Sequence, residues 1–383
     1  MRYPVPTILH VINDVDYWFM HREPLAQAAR LSGYDVVLAA PPHQNLRKAE
    51  KLGYKVIELE IDRFRLCWSD AVLFFRLRRL LCDNQFDLVH LFTIKPILFG
   101  GLALASLKKS RRSKAIATVA GLGRAFKTGL IQRLVLVSAL RYGVGQTADF
   151  ITFENPDDRN RYITSGIVKP SAAKFLKGAG VNTKVFYPSM TRQSSGKVNF
   201  LFAGRMLKSK GILQYLTAAS LLGKKHAGCA FFVAGLPSQN EPDAVTNDEL
   251  EPFKRLTFIN WLGAVKQEEM PDLLRKMDVF VLPTQYQEGL PRSCLEAGAC
   301  ALAVIAGDVE GTRYLIEDGQ TGLLVQSGGA DNLSLAMERL YLSPDTREYL
   351  GKNLHAKISN EGFDSDTIFG QFIKLYKATI RFG

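Results

Sequence analysis

VFVLPTQYQEGLPRSCLEAGACALAVI, residues 279–305, reads in succession as strand, polar loop, helix start and strand. The apolar run 279–282 feeds the loop 284–288, and Pro291 with Ser293 suits a helix start with proline in the first turn and a hydroxyl cap. The next strand is predicted over 301–305. Two parallel neighbours need a crossover between them, so strand, helix, strand is the repeating unit of a parallel sheet. The same stretch sets two carboxylates, Glu288 and Glu296, across the loop-to-helix junction with seven residues between them.

The alternation extends in both directions. Upstream, strands are predicted over 198–203, 230–234 and 256–259, separated by helices over 211–222, 248–255 and 267–277. Downstream come a short helix from Thr312, a strand over 323–325, and helices over 330–342, 344–359 and 367–381. An earlier series has strands over 6–12, 35–39, 55–59, 88–91, 115–119 and 150–153, with helices over 19–32, 69–82, 95–108 and 130–142. A stretch rich in Gly, Pro, Ser and polar residues separates the two series. The predicted class is therefore α/β, two doubly wound Rossmann-like domains in tandem. Their bounds are 1–185 and 198–365, with a linker over 186–197 and a terminal helix over 366–383 expected to return toward the first domain. At 383 residues the chain suits two domains of roughly 100–200 residues each. In such sheets ligands sit outside the carboxyl ends of the strands, where the strand order reverses.

Composition bounds the function classes. A hydrophobic fraction of 47% with 22% charged residues is that of a globular chain. No run reaches the roughly 18 apolar residues of a membrane span, and the first residues lack the pattern of a signal peptide, so a cytoplasmic chain is expected. Five cysteines without a CxxC pair argue against a disulfide framework and a zinc knuckle. The net charge of +12 is lopsided: residues 1–190 hold 28 Lys and Arg against 15 Asp and Glu, leaving 21 against 22 for the rest. The first half is expected to meet something anionic, whether lipid, phosphate or nucleic acid.

Candidate chemistry falls at the predicted strand ends. The strand over 198–203 runs into Gly204, and Arg205 and Lys210 follow where strand hands over to helix, so both can converge on an anion with that helix's N-terminus. A diphosphate fits; taken singly, the two cations are solvated loop residues. Backbone N–H groups from Gly289 onward can cap negative charge, and of Glu288 and Glu296 one can hold sugar hydroxyls and the other a ribose diol. Two glutamates at a spacing are weak evidence; the ordered set Pro283, Glu288-Gly289-Leu290-Pro291, Glu296-Ala297, Asp308 and Gly311 is stronger. Asp14-Val15-Asp16 matches a metal-binding DxD in form, but such triplets arise often by chance, and a loop or acceptor role without metal is expected. His90 lies in an apolar run and reads as a core histidine.

These pieces, FAGRMLKSKG at 202–211, WLGAV at 261–265, LPTQYQEGLPRSCLEAGA at 282–299 and GDVEGTRYLIEDGQTGLLV at 307–325, resemble the retaining glycosyltransferases of family 4 over nearly the whole chain. The resemblance implies the GT-B fold, with its two domains facing a central cleft. It implies that Arg205 and Lys210 bind the donor diphosphate, Glu296 the ribose, and Glu288 with the Gly289–Leu290 backbone the transferred sugar. Pro291 would open the helix facing the phosphates, and Gly263 to Val265 would lie against the base. Catalysis would fall to Glu288, Arg205 and Lys210, with no metal and no cofactor beyond the nucleotide-sugar substrate, expected to be UDP-linked. The first half, with WFMHREPL at 18–25, HLFTIKP at 90–96, GLGRAF at 121–126 and FEN at 153–155, resembles the bacterial subgroup that extends undecaprenyl-diphosphate-linked saccharides. Acceptor contacts are then expected from His21, Arg22, Thr93, Lys95, Gly121 and Gly123. Two departures stand out: Asn13-Asp14-Val15-Asp16 replaces a Gly-rich first loop, and Ala120 stands where many members have a histidine.

With a lipid-linked saccharide as acceptor, the basic segments 64–81 and 107–114 read as a peripheral attachment to the anionic inner face of the plasma membrane. The otherwise simpler reading is a core-facing helix with a solvated basic face. Two rival functions remain at this level. One is a sugar-nucleotide epimerase or phosphorylase on the same architecture; the other is a basic nucleic-acid-binding protein, for which no reading module is recognisable.

Overall fold

The computed structural model describes residues 5–62, 68–121, 129–189, 196–237, 241–286, 289–326 and 329–381. By its contacts the chain divides into two compact units, Met1–Ala179 with Asp366–Gly383, and Gly180–Ser365. The stretch 186–197, expected as a linker, falls by this division within the second unit's range.

The first unit is built on β1 (Thr7–Val11), β2 (Asp35–Ala40), β3 (Lys55–Glu58), β4 (Leu88–Phe92), β5 (Lys114–Val119), β6 (Phe150–Phe153) and β7 (Ala173–Phe175). They form one sheet in the order β3-β2-β1-β4-β5-β6-β7, with parallel pairing throughout. The central strands are buried along their whole length, as covering by helices on both faces requires. The helix predicted over 19–32 is two helices, Val15–His21 and Glu23–Leu31, because the chain leaves helical geometry at Arg22. Asp14 accepts the Tyr17 N–H at 3.0 Å and caps the first of them. The helix predicted over 95–108 opens as a π turn, Pro96–Gly100, before the α-helix Gly101–Ala105. Strand β7 has no counterpart among the predicted strands; it has only three residues, of which one is fully buried.

A polar relay crosses this core. His90 Nδ1 lies 2.7 Å from the Tyr376 hydroxyl and its Nε2 lies 2.6 Å from Thr118 Oγ1, which lies 2.7 Å from Thr152 Oγ1. The relay ties β4, β5 and β6 to the C-terminal helix Ser365–Arg381, whose Ile368, Phe372 and Tyr376 pack among Ile8, Trp18 and Leu88. His90 is thus the core histidine that its apolar setting predicted. Beside it His10 accepts the Trp18 indole N–H at 3.3 Å through Nδ1, while its Nε2 is buried without a hydrogen-bond partner among the described residues. Burial, reinforced by the Arg22 guanidinium, holds His10 down at about 3. Burial also holds His90 well below the ordinary histidine value, with His10 and Arg22 adding to it.

The second unit repeats the plan. Strands β8 (Val198–Ala203), β9 (Cys229–Ala234), β10 (Ile259–Gly263), β11 (Val279–Leu282), β12 (Ala303–Gly307) and β13 (Leu323–Val325) pair in the order β10-β9-β8-β11-β12-β13, all parallel. Strand β10 starts where the predicted strand over 256–259 ends, because the Ile259 N–H closes a turn on the Leu256 carbonyl at 3.0 Å. Its alternation of buried Ile259 and exposed Asn260 marks an edge strand paired on one side only. Strand β12 likewise begins two residues later than predicted, since Ala301 is held in a left-handed turn at φ 56°. The helix predicted over 267–277 is shorter, Met270–Arg275. In both sheets the order reverses beside the first strand, between β1 and β4 and between β8 and β11, which defines the two switch points.

Candidate active site

In the second unit the carboxyl ends of the strands form a shelf made of backbone. The Gly204 N–H donates to the Ala234 carbonyl at 3.0 Å, and the Gly235 N–H to the Gly263 carbonyl at 2.7 Å. A Cβ on Gly235 would stand 2.0 Å from the Gly204 carbonyl oxygen, so no side chain fits between these strand ends. Gly263, at φ 67°, faces open space. A ligand can approach the main chain here without crossing side chains.

Two loops meet above the β8–β11 switch point. After β8 the chain passes Arg205, makes a 3-10 turn over Lys208–Lys210 and enters the helix Ile212–Lys225. The Gln285 N–H donates to the Ser209 carbonyl at 2.8 Å, and the buried Thr284 hydroxyl donates to the same oxygen at 3.3 Å. Gly211, at φ 80°, lies against Pro283, and a Cβ there would stand 2.3 Å from the Pro283 carbonyl oxygen. The loop bearing Arg205 and Lys210 is thereby bound to the loop that leads into residues 289–296. Arg205 is half-exposed and paired with Glu241, Lys208 pairs with Glu249 at 2.6 Å, and Lys210 is half-buried.

The helix after the second loop runs Arg292–Ala299 with Pro291 as its N-cap and no side-chain cap. Ser293 therefore lies inside the first turn instead of capping it, and Pro291 precedes the helix by one residue. The carbonyl of Pro291 takes the N–H groups of Cys294 and Leu295, so the turn N-terminal to them presents backbone donors outward. Glu296 sits one turn further and is 6% exposed. Its Oε1 accepts from Gln267 Nε2 at 2.9 Å and Arg292 Nε at 2.8 Å, while Oε2 has no hydrogen bond among the described residues. Burial raises its pKa; Arg292 and the Gln267 hydrogen bond oppose the rise. Gln267, which no sequence reading singled out, orients this carboxylate from the turn beyond β10. Leu290 is buried in the core and anchors the backbone of Gly289 and Leu290. Val265 packs partly buried against the same core. Glu288 lies outside the described residues, as does Gly123 in the first unit.

In the first unit the residues expected to meet the acceptor cluster at the β1–β4 switch point and the strand ends beside it, several in structural pairings. Arg22 is buried, donates to Glu154 Oε1 at 2.6 Å and to the Tyr17 hydroxyl at 2.9 Å, and stacks over Phe92 at 5.2 Å. Lys95 is buried in an ion pair with Asp70 at 2.8 Å. Thr93 adopts φ 67°, a conformation costly for a β-branched residue, and its hydroxyl donates to Asn13 Oδ1 at 2.8 Å. His21 is half-buried beside the Tyr17 ring at 4.5 Å, and Gly121 turns the chain after β5 at φ 107°. Asn13, Asp70 and Glu154 complete this cluster; nothing in the sequence marked Asp70, since only folding brings it to Lys95. The aspartates of the DxD triplet diverge: Asp14 caps a helix, while Asp16 accepts from Asn45 Nδ2 at 2.7 Å. Among the described residues no group of three or more His, Cys, Asp or Glu is placed to hold a metal.

A family model described as glycosyl transferases group 1 matches residues 189–356, and one described as glycosyl transferase 4-like matches 8–155. Among curated relatives, a Campylobacter jejuni N,N'-diacetylbacillosaminyl-diphospho-undecaprenol alpha-1,3-N-acetylgalactosaminyltransferase is 29% identical over 94% of this chain and 95% of its own. A GDP-mannose-dependent alpha-(1-6)-phosphatidylinositol monomannoside mannosyltransferase of Mycolicibacterium smegmatis is 25% identical over 79% of each. Among solved structures, Anabaena HepE in complex with UDP and glucose superposes with a TM-score of 0.78 at 16% identity, covering 97% of this chain and 99% of that one. Sucrose-phosphate synthase from Thermosynechococcus elongatus gives 0.79 at 17% identity, covering 98% and 100%. Both sheets, their strand order and the two matched models agree: the chain belongs to the GT-B glycosyltransferases, with a 4-like first half and a group 1 second half.

Proposed function

We propose that this chain is a retaining, metal-independent glycosyltransferase that moves a hexose or N-acetylhexosamine from a UDP-sugar to a lipid-linked saccharide in bacterial surface-glycan assembly, O-antigen and capsule included. It would work as a peripheral protein on the inner face of the plasma membrane. The observation that carries the donor half is the tether between Ser209 and Gln285, which holds Arg205 and Lys210 over the same switch point as the helix start at Arg292. Cations and aligned N–H groups around one point favour an anion that gains charge as it departs, here the donor diphosphate. Glu296 carries a free oxygen on a carboxylate fixed by Gln267 and Arg292, suited to a ribose diol. The shelf at Gly263 leaves room for a flat base.

In this reading the bond between the sugar anomeric carbon and the diphosphate breaks, and the electron pair leaves with the diphosphate. The acceptor hydroxyl attacks from the same face, and its proton passes to the departing phosphate oxygen, so UDP and a glycoside are the products. Glu288 and the Gly289–Leu290 backbone would hold the transferred sugar, a role that rests on the family resemblance. The undecaprenol-linked substrate in the Campylobacter relative's name supports the acceptor class. The α-linkages named for it and for the mannosyltransferase support retention, since common nucleotide hexoses are themselves α-linked.

The test is a panel of radiolabelled UDP-sugars incubated with membrane lipid extract and the full chain. Label is expected to enter the lipid fraction with one donor, without added divalent metal. Lys210→Ala should lower transfer by at least about 100-fold, the usual loss when a transition-state charge stabiliser is removed, with an unchanged circular dichroism spectrum. Unimpaired transfer by Lys210→Ala, or epimerised free donor in place of lipid product, refutes the reading.

A further inference from the structure

We infer that the helix Leu130–Tyr142 is the element by which this protein enters the surface of an anionic lipid bilayer, an inference that rests on the peripheral-membrane reading above. Leu130, Ile131, Leu134 and Val135 are 74%, 77%, 58% and 64% exposed, and Tyr142 at the helix end is 57% exposed. On a helical projection they share one arc of about 140°. The opposite side, with Leu136, Val137 and the fully buried Leu140, packs on the core. Among the described residues of the first unit nothing covers the outer stripe.

The charge of the flanking sequence points to the occupant. Residues 88–148 contain ten Lys and Arg and no Asp or Glu. Lys108, Lys109 and Arg111 are exposed on the turn Lys109–Arg111 and its approach, and Arg133 is exposed on the first turn of the helix Leu130–Tyr142. None of these four makes an ion pair among the described residues. Arg112 holds the turn in place by donating to the Ala105 and Leu107 carbonyls at 3.2 and 3.3 Å, against the end of the Gly101–Ala105 helix that packs on Leu130–Tyr142. An aliphatic stripe of Leu, Ile and Val ended by tyrosine, in a stretch of the first unit rich in exposed cations and without a carboxylate side chain, suits acyl chains beneath anionic headgroups. Protein interfaces favour aromatic residues and arginine over leucine and valine. Thirteen residues are too few to span a bilayer, so the helix would lie in its surface. The segment 64–81 serves less well: within its described helix, Arg76 is already paired with Glu60 and Arg79 with Asp83, while Leu73, Leu77 and Leu81 are buried in the core.

Flotation of the full chain with vesicles tests this. Vesicles of phosphatidylcholine containing about one-third phosphatidylglycerol should carry the wild type, and high salt should release it. Leu134→Glu should lower binding at least about tenfold, since it places a charge where acyl chain is to be met, while transfer to a short-chain soluble acceptor stays unchanged. In the variant Ile131→Trp, the added fluorophore should shift to the blue and be quenched by brominated lipid. If Leu134→Glu floats as well as wild type and the tryptophan at 131 is not quenched, this helix is not the insertion element, although the membrane reading survives. Failure of the wild type to float overturns both. A wild-type dimer that Leu134→Glu dissociates would assign the stripe to a second copy and overturn the inference.

Discussion

Mild acid should weaken the first unit specifically, through two buried histidines. His10 and His90 lie inside the core, His10 held at about 3 and His90 well below its ordinary value. In the unfolded chain both titrate near 6.5. Between those values the unfolded chain binds more protons than the native one, so stability is fully present above pH 6.5 and falls as pH falls toward the folded values. Each unit below 6.5 costs about 1.4 kcal/mol per histidine, so moving from pH 7 to pH 5 costs about 2 kcal/mol for each and about 4 kcal/mol together. Against a usual domain stability of about 5–15 kcal/mol, that is a large share. Trp18 donates to His10 and reports on the site directly. Urea unfolding followed by its fluorescence, with Trp68 and Trp261 replaced by phenylalanine, should show the loss at pH 6 and 5. His10→Asn keeps an acceptor near the Trp18 indole and removes one titration, so its loss over the same interval should shrink by about 2 kcal/mol. A wild-type stability flat from pH 7 to 5, or an unchanged slope in His10→Asn, refutes the reasoning.

Glu154→Ala leaves the Arg22 guanidinium buried beside Tyr17 without its carboxylate, and should cost about 3–5 kcal/mol in the same unfolding assay. Gly211→Ala puts a methyl against the Pro283 carbonyl at positive φ, for a loss of about 1–3 kcal/mol, and should lower transfer with it because the two loops proposed to meet the donor diphosphate are driven apart. Calorimetry should show that stability loss and a radiolabel assay the activity loss; intact activity would mean the loop tether is dispensable. Glu296→Gln keeps the helix but removes the charge on the oxygen proposed to meet ribose, and should weaken UDP binding on the order of tenfold by titration calorimetry, equal to about 1.4 kcal/mol. Unchanged affinity would remove Glu296 from the donor site.

The alternation of apolar runs and helical segments was enough to determine two doubly wound domains, because period and length of apolar runs are local properties of the chain. The places of Arg205, Lys210, Pro291 and Glu296 were legible for the same reason: each lies just after a strand or in the first turns of a helix that the pattern itself locates. Tertiary structure decided what was not local. It paired Arg22 and Lys95, both expected at the acceptor, with Glu154 and Asp70, which lie 132 and 25 residues away in sequence. It brought Gln267 to Glu296, split the 19–32 helix at Arg22, and moved β10 into the run after Ile259, where an edge strand pairs on one side and its apolar signal is weak. It also decided which side of Leu130–Tyr142 is covered. The composition of that helix is apolar nearly all round, so only the packing of Leu136 and Leu140 shows that Leu130, Ile131, Leu134 and Val135 face outward. Buried pairing and exposure depend on what the rest of the chain places nearby, and no local pattern of residues carries that information.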